Sequence, residues 1–256
     1  GIVMGVCGRE DYTQTLMTFH PVGPGTSADF FHADRWLDFN GIQSSHGPMI
    51  LNWKMIDRDY RRTPAKPVLD LETTYTEIVF GKQTSPLTDA MTRRAAYWAV
   101  FAGACGHTYG HNSIWQMFTP QKHSLAGAKT PWREALNTPG ATQMGYLRQL
   151  MEARPFITFV PDNSIISLEP STAESKCLAL RGERHVLVYT PTGRVLRVRL
   201  GTTGGQKVQA AWFSPRTGQS QSIGEFKNEG QRTFAPPAEE AAGNDWVLTL
   251  APAAGQ

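Results

Sequence analysis

Pro67-Val-Leu-Asp-Leu-Glu72 is an apolar run that ends in an acid. Thr88 to Ala104 follows it with a helical pattern, and Gly106-His-Thr-Tyr109 begins a further short run. Strand, helix, strand in that order is a βαβ unit, which predicts parallel pairing. The same alternation continues outward. Thr15-Leu-Met-Thr-Phe19 and Trp36-Leu-Asp-Phe-Asn-Gly-Ile-Gln43 read as two more strands, Met49 to Arg61 and Ala141 to Glu152 as two more helices. In the last helix Met144, Leu147, Leu150 and Met151 recur at three- and four-residue spacing. Pro86 and Pro139 stand just before helices, where a missing N–H does little harm. Four βα units are half of an eight-stranded α/β barrel, which takes about 250 residues when complete.

Beyond residue 156 the pattern changes to strands and turns. Leu178-Ala-Leu, His185-Val-Leu-Val-Tyr189, Val195-Leu-Arg-Val-Arg-Leu200, Val208-Gln-Ala-Ala-Trp-Phe213 and Asp245-Trp-Val-Leu-Thr-Leu250 are strand-like. Arg181-Gly-Glu, Pro191-Thr-Gly, Gly201-Thr-Thr-Gly-Gly and Pro215-Arg-Thr-Gly218 separate them as turns. This spacing predicts a small antiparallel β-sandwich. Pro155, Pro161 and Pro170 mark the joint. The expected fold is therefore α/β plus β, a half barrel over residues 1–155 and a sandwich over 165–256.

Composition narrows the function classes. The 256 residues are 40% hydrophobic and 18% charged, with a net charge of +3, which fits a globular chain. No Lys/Arg cluster supports nucleic acid as a partner. The longest apolar run, Tyr97 to Gly106, is too short to span a bilayer, so no membrane is expected as a partner. Cys7, Cys105 and Cys177 are odd in number and lack metal-site spacing. Gly1-Ile-Val-Met has no features of a secretory signal, and the absence of an initiator Met suggests that residues precede it.

In parallel α/β folds the active groups sit at the carboxyl ends of strands. Those ends carry His20, then Gln43 and His46, then Glu72, then Tyr109, His111 and Trp115. Asp70 and Glu72 lie two apart on one strand, which points both to the same side. Each has a plainer reading. Glu72 fits a solvated strand-end acid equally well, His20 and His46 fit loop hydrogen-bonders, and Trp115 fits a cover over the barrel mouth as well as a sugar-stacking face. His107 and His111 form only an i,i+4 pair in a glycine-rich segment, so no metal is expected.

Several stretches resemble the apiosidase-like bacterial glycoside hydrolases, a (β/α)8 barrel followed by a β domain labelled collagen-binding. They are Thr18-Phe-His-Pro21 with Phe31-His32, Trp36 to His46, Pro67 to Glu72 with Tyr75, Arg94 to Gly110, Ser113-Ile-Trp-Gln116, Trp212 to Gly218 and Asp245 to Leu250. The resemblance covers nearly the whole chain in order. It implies that the four strands are barrel strands 5 to 8 and that Glu72 is the nucleophile of a retaining glycosidase, ending strand 7. It places the acid/base on strand 4, before Gly1, and has Asp70 where an amide is more usual.

The resemblance implies a hydrolase of plant or microbial oligo- or polysaccharide that needs no cofactor, with an inferred secreted or periplasmic location. His20, Gln43, His46, Asp70, Tyr109, His111 and Trp115 would bind or orient the sugar, and Tyr75 would hydrogen-bond Glu72. A non-catalytic carbohydrate-binding protein and an inactive fragment of a larger hydrolase are the alternatives. A half barrel leaves two sheet edges open, so a homodimer completing the barrel is also expected.

Overall fold

The computed structural model describes residues 13, 15–167 and 172–253; Cys7 and Pro170 lie outside them. The α/β part is built on a sheet of four short strands: β1 (Gly25–Thr26), β2 (Asn40–Gln43), β3 (Val68–Glu72) and, beyond the two-residue β4 (Tyr75–Thr76), β5 (Gly106–His107). The pairs β2–β3 and β3–β5 are parallel, as the βαβ reading requires. β4 makes a separate parallel pair with β6 (Gly110–His111).

One expected strand is absent. Thr15–Phe19 forms no ladder, and the place beside β2 is taken by β1, which runs antiparallel. The segment is instead tied to the chain just before β2. The Met17 N–H donates to the Asp38 carboxylate at 2.6 Å, and the Thr18 hydroxyl donates to the Phe39 carbonyl at 2.6 Å. One backbone bond, from the Asp38 N–H to the Met17 carbonyl at 2.9 Å, joins these side-chain bonds without extending into a ladder.

Three helices cover the sheet: α1 (Asn52–Tyr60), α2 (Asp89–Phe101) and α3 (Pro139–Glu152). The Thr88 hydroxyl caps α2 by accepting from the Met91 N–H. Most of α2 is buried, including Thr92, Arg93, Tyr97, Trp98 and Phe101. A helix apolar on nearly every side needs cover on every side. The sheet supplies one face and the β part the other, so one core runs from Ile42 and Val68 through Tyr97, Trp98 and Phe101 to Leu187, Tyr189 and Val247.

In the β part, β7 (Val160–Pro161), β8 (Leu178–Arg181), β9 (Val186–Thr190), β11 (Lys207–Phe213), β12 (Ser220–Lys227) and β14 (Trp246–Pro252) form a six-stranded sheet in the order β12-β11-β14-β9-β8-β7. All its pairings are antiparallel. β10 (Leu196–Arg199) and β13 (Gln231–Phe234) make a separate ribbon. Leu196, Val198 and Phe234 of the ribbon share a second core with Val186, Val188, Val208 and Leu248 of the sheet. Neither β12 nor β13 has a sequence signal as clear as β9, because most of their residues are exposed.

Candidate active site

Glu72 is the last residue of β3. Its partner across the ladder is Gln43, while Ile42 pairs with Asp70, so Leu71 is an extra residue bulged from the strand. Bulges re-aim the side chains that follow them and recur next to active sites. Here the bulge separates two acids. Asp70 is fully buried, accepting from the Asn52 amide of α1 at 2.9 Å and from the Ser44 hydroxyl at 3.1 Å. Glu72 stays at the rim with its side chain 23% exposed.

Two histidines grip Glu72. His46 Nε2 lies 2.9 Å from Oε1, and His20 Nε2 lies 3.3 Å from Oε2. The other ring nitrogen of each faces a carbonyl, that of Thr73 at 2.7 Å for His46 and that of Pro21 at 3.0 Å for His20. A carbonyl only accepts, so each Nδ1 carries a proton. Tyr75 closes a further side, its ring 4.5 Å from that of His46. Burial and the Glu72 charge, to which it hydrogen-bonds, push its phenol up to about 12, so it stays a donor.

The remaining expected residues divide. Gln43 is half-buried beside Glu72, packed under Gly23. Trp115 is 53% exposed on a helical turn (Asn112–Trp115), its indole N–H donating to the Asn112 side chain at 3.0 Å. The other three are bonded to other partners. Asp70 is sealed beneath α1, where burial, partly offset by its bonds to Asn52 and Ser44, pushes it up to about 7. His111 is buried and accepts from the Ser113 N–H at 3.1 Å. The Tyr109 hydroxyl lies among Thr76 and Thr138, at 3.4 and 3.5 Å. Among the described residues no group of three or more His, Cys, Asp or Glu could hold a metal ion.

Sequence reasoning missed Ser44 and Asn52, which fix Asp70, and Glu77, which accepts from Ser113 at 2.6 Å and from the Thr130 hydroxyl at 2.7 Å. Burial alone would raise the Glu77 carboxyl; these bonds outweigh it and hold the group below its ordinary value. No spacing in the sequence signals either set.

The end of β3 thus carries a carboxylate held by two imidazoles and a phenol, on a sheet backed by helices. Among the solved structures that the chain matches are a glycoside hydrolase (38% identity, TM-score 0.90) and a family 5 glycoside hydrolase from Bacteroides vulgatus (36%, TM-score 0.88). The matches cover 95% and 93% of this chain but only 59% and 56% of theirs, so it spans well under two thirds of those proteins. No curated protein sequence matches. Residues 3–158 match the model of the apiosidase-like catalytic domain, and residues 160–251 that of the "Putative collagen-binding domain of a collagenase". The chain belongs to the apiosidase-like family of glycoside hydrolases.

Proposed function

We propose that this protein hydrolyses glycosidic bonds in plant or microbial oligo- or polysaccharide with retention of configuration, Glu72 acting as nucleophile. The observation that carries the reading is the Glu72 carboxylate at the end of β3, with an oxygen facing each of His46 and His20. On this reading β2, β3 and β5 belong to the second half of a barrel, β3 being strand 7. Glu72 attacks the anomeric carbon to form a glycosyl ester as the leaving oxygen departs with a proton from the acid/base carboxyl that the family resemblance places on strand 4; water, giving its proton to that same carboxyl, then hydrolyses the ester. Gln43 holds a sugar hydroxyl near the reacting carbon, His20 and His46 orient the sugar through the carboxylate they hold, and Trp115 offers its indole face. Tyr75 donates to the carboxylate and fixes its direction.

Replacing the nucleophile by a smaller foreign one tests the role. With an activated aryl glycoside, Glu72→Ala should be inactive alone and should recover turnover in azide, releasing a glycosyl azide of inverted configuration. Full turnover without azide would refute the assignment.

A retaining glycosidase also needs an acid/base carboxyl about 5–5.5 Å from the nucleophile. The acids nearest in sequence are committed elsewhere, Asp70 to Asn52 and Ser44, Glu77 to Ser113 and Thr130. This favours, as a second reading, a chain that binds carbohydrate and hydrolyses it only with a further segment or partner. We also propose a homodimer. Among the described residues each end of the four-stranded sheet has a strand with a single neighbour, and a 660 Å³ cavity lined by Val68, Val100, His107, Met144 and Met151 opens beside β5. Pairing two copies through these edges would place both Glu72 residues on one composite barrel. Sedimentation at micromolar concentration should give the dimer mass; a stable monomer excludes it. Because polysaccharide lies outside the cell, the site of action is taken as secreted or periplasmic, which fractionation of the source cells checks.

A further inference from the structure

Resting on the glycosidase reading, we propose that Phe80 is a second sugar-binding surface, so that the site takes at least two linked rings rather than one. Phe80 was not among the candidate residues. Its ring is 48% exposed, and it meets His46 edge to face at 5.4 Å, on an imidazole that itself contacts Glu72. A ring bound at Glu72 therefore has Phe80 one histidine away, presenting an apolar face to solvent. Sugar rings carry one face of C–H groups that an aromatic ring can cover while their hydroxyls stay hydrated.

The position of Phe80 is fixed rather than incidental. Gln83 donates to the His46 carbonyl at 3.0 Å and accepts from the Phe80 N–H at 3.5 Å, tying the two residues through one side chain. The neighbouring Val79 N–H donates to the Ala126 carbonyl at 2.8 Å. That carbonyl also accepts from Asn112 at 2.8 Å, the residue whose side chain holds Trp115. Glu77 binds Ser113 and Thr130 from the same strand end. Phe80 and Trp115 thus stand on loops braced against each other.

Backbone strain marks the same frame. Among the described residues the non-glycine positions with positive φ are Ser45 (83°), Glu77 (70°), Met117 (48°) and Ala126 (48°). Ser45 precedes His46, Glu77 follows Tyr75 by two, Met117 follows Trp115 by two, and Ala126 is the shared acceptor. Such a conformation persists where the surroundings over-determine it, and ligand clamps are one such place.

The test uses the Glu72→Gln variant, which holds sugars without consuming them. Calorimetric titration would compare matched mono-, di- and trisaccharides of arabinose, galactose, xylose and glucose. In the Phe80-containing protein, affinity should rise from mono- to disaccharide by roughly 2- to 12-fold for the sugar that binds, the range of one aromatic contact. Adding Phe80→Ala should remove that rise and leave the monosaccharide affinity unchanged; Phe80→Tyr should restore it. Equal weakening of mono- and disaccharide by Phe80→Ala would overturn the proposal, since Phe80 would then only prop His46. No gain from mono- to disaccharide with Phe80 present would overturn it as well. If no saccharide binds even at Glu72, the glycosidase reading itself fails and takes this inference with it.

Discussion

The seam between the two parts of the molecule and the rim around Glu72 are both built from charged and aromatic side chains, yet they are opposites. In the seam Arg93 of α2 makes a two-pronged bond to Asp245, Nε to Oδ2 at 2.8 Å and Nη2 to Oδ1 at 2.7 Å, and a third bond to Gln143 at 2.6 Å. Both side chains of the pair are under 5% exposed, and Tyr97 stacks on Tyr189 beside them at 4.9 Å. At the rim the carboxylate is a quarter exposed, its histidine partners sit on loops, and aromatic faces are open. One region spends its polar groups on each other, while the other keeps them turned outward. The difference separates holding the chain together from meeting a ligand, and mutations in the two regions should separate in the same way.

The largest stability effect belongs to the seam. Asp245→Asn leaves Arg93 buried beside a neutral group and should cost about 3–5 kcal/mol in denaturant unfolding. A loss under 1 kcal/mol would mean that the seam is wetter than its geometry shows. Next comes Asp70, buried between the two regions. Its carboxyl is raised from 3.8 to about 7, so in that window the folded state holds a proton that the unfolded chain has released. Stability from this group therefore falls as pH rises through the window, by up to about 4 kcal/mol. Asp70→Asn keeps acceptors for Asn52 and Ser44 but cannot ionise, so its stability should be flat where the parent declines. Parallel pH profiles would contradict this. A smaller effect sits at Gly110, where an added Cβ would fall 1.9 Å from the Tyr75 ring. Gly110→Ala should cost about 1–3 kcal/mol of stability by overpacking, and should lower sugar release by moving Tyr75 off Glu72.

How far the sequence carried the account differs between the regions too. The βαβ unit around Pro67–Glu72 was legible because a buried parallel strand is a continuous apolar run. The antiparallel strands β8, β9 and β14 were legible because they too are buried on both faces. Thr15–Phe19 looked like a strand, but its bonds go to Asp38 and Phe39 rather than to a ladder. β12 and β13 went unseen because exposed strands carry little hydrophobic period. At the site, Glu72, His20 and His46 stood out as polar residues after apolar runs. The period-two rule pairs Asp70 with Glu72, and the bulge at Leu71 breaks that rule. Phe80 and Glu77 left no mark, since strain and loop bracing exist only in three dimensions. The seam was equally hidden, because Arg93 and Asp245 are 152 residues apart.

The central claim is that Glu72 does chemistry while contributing little to the fold, and one paired measurement tests it directly. Reducing-sugar release and denaturant unfolding would be recorded on the parent and on Glu72→Gln, using a polysaccharide that the parent degrades. The account predicts release lower by roughly 10³-fold or more, with stability within about 1 kcal/mol of the parent. Unchanged release, or a loss of release matched by loss of the fold, would contradict it.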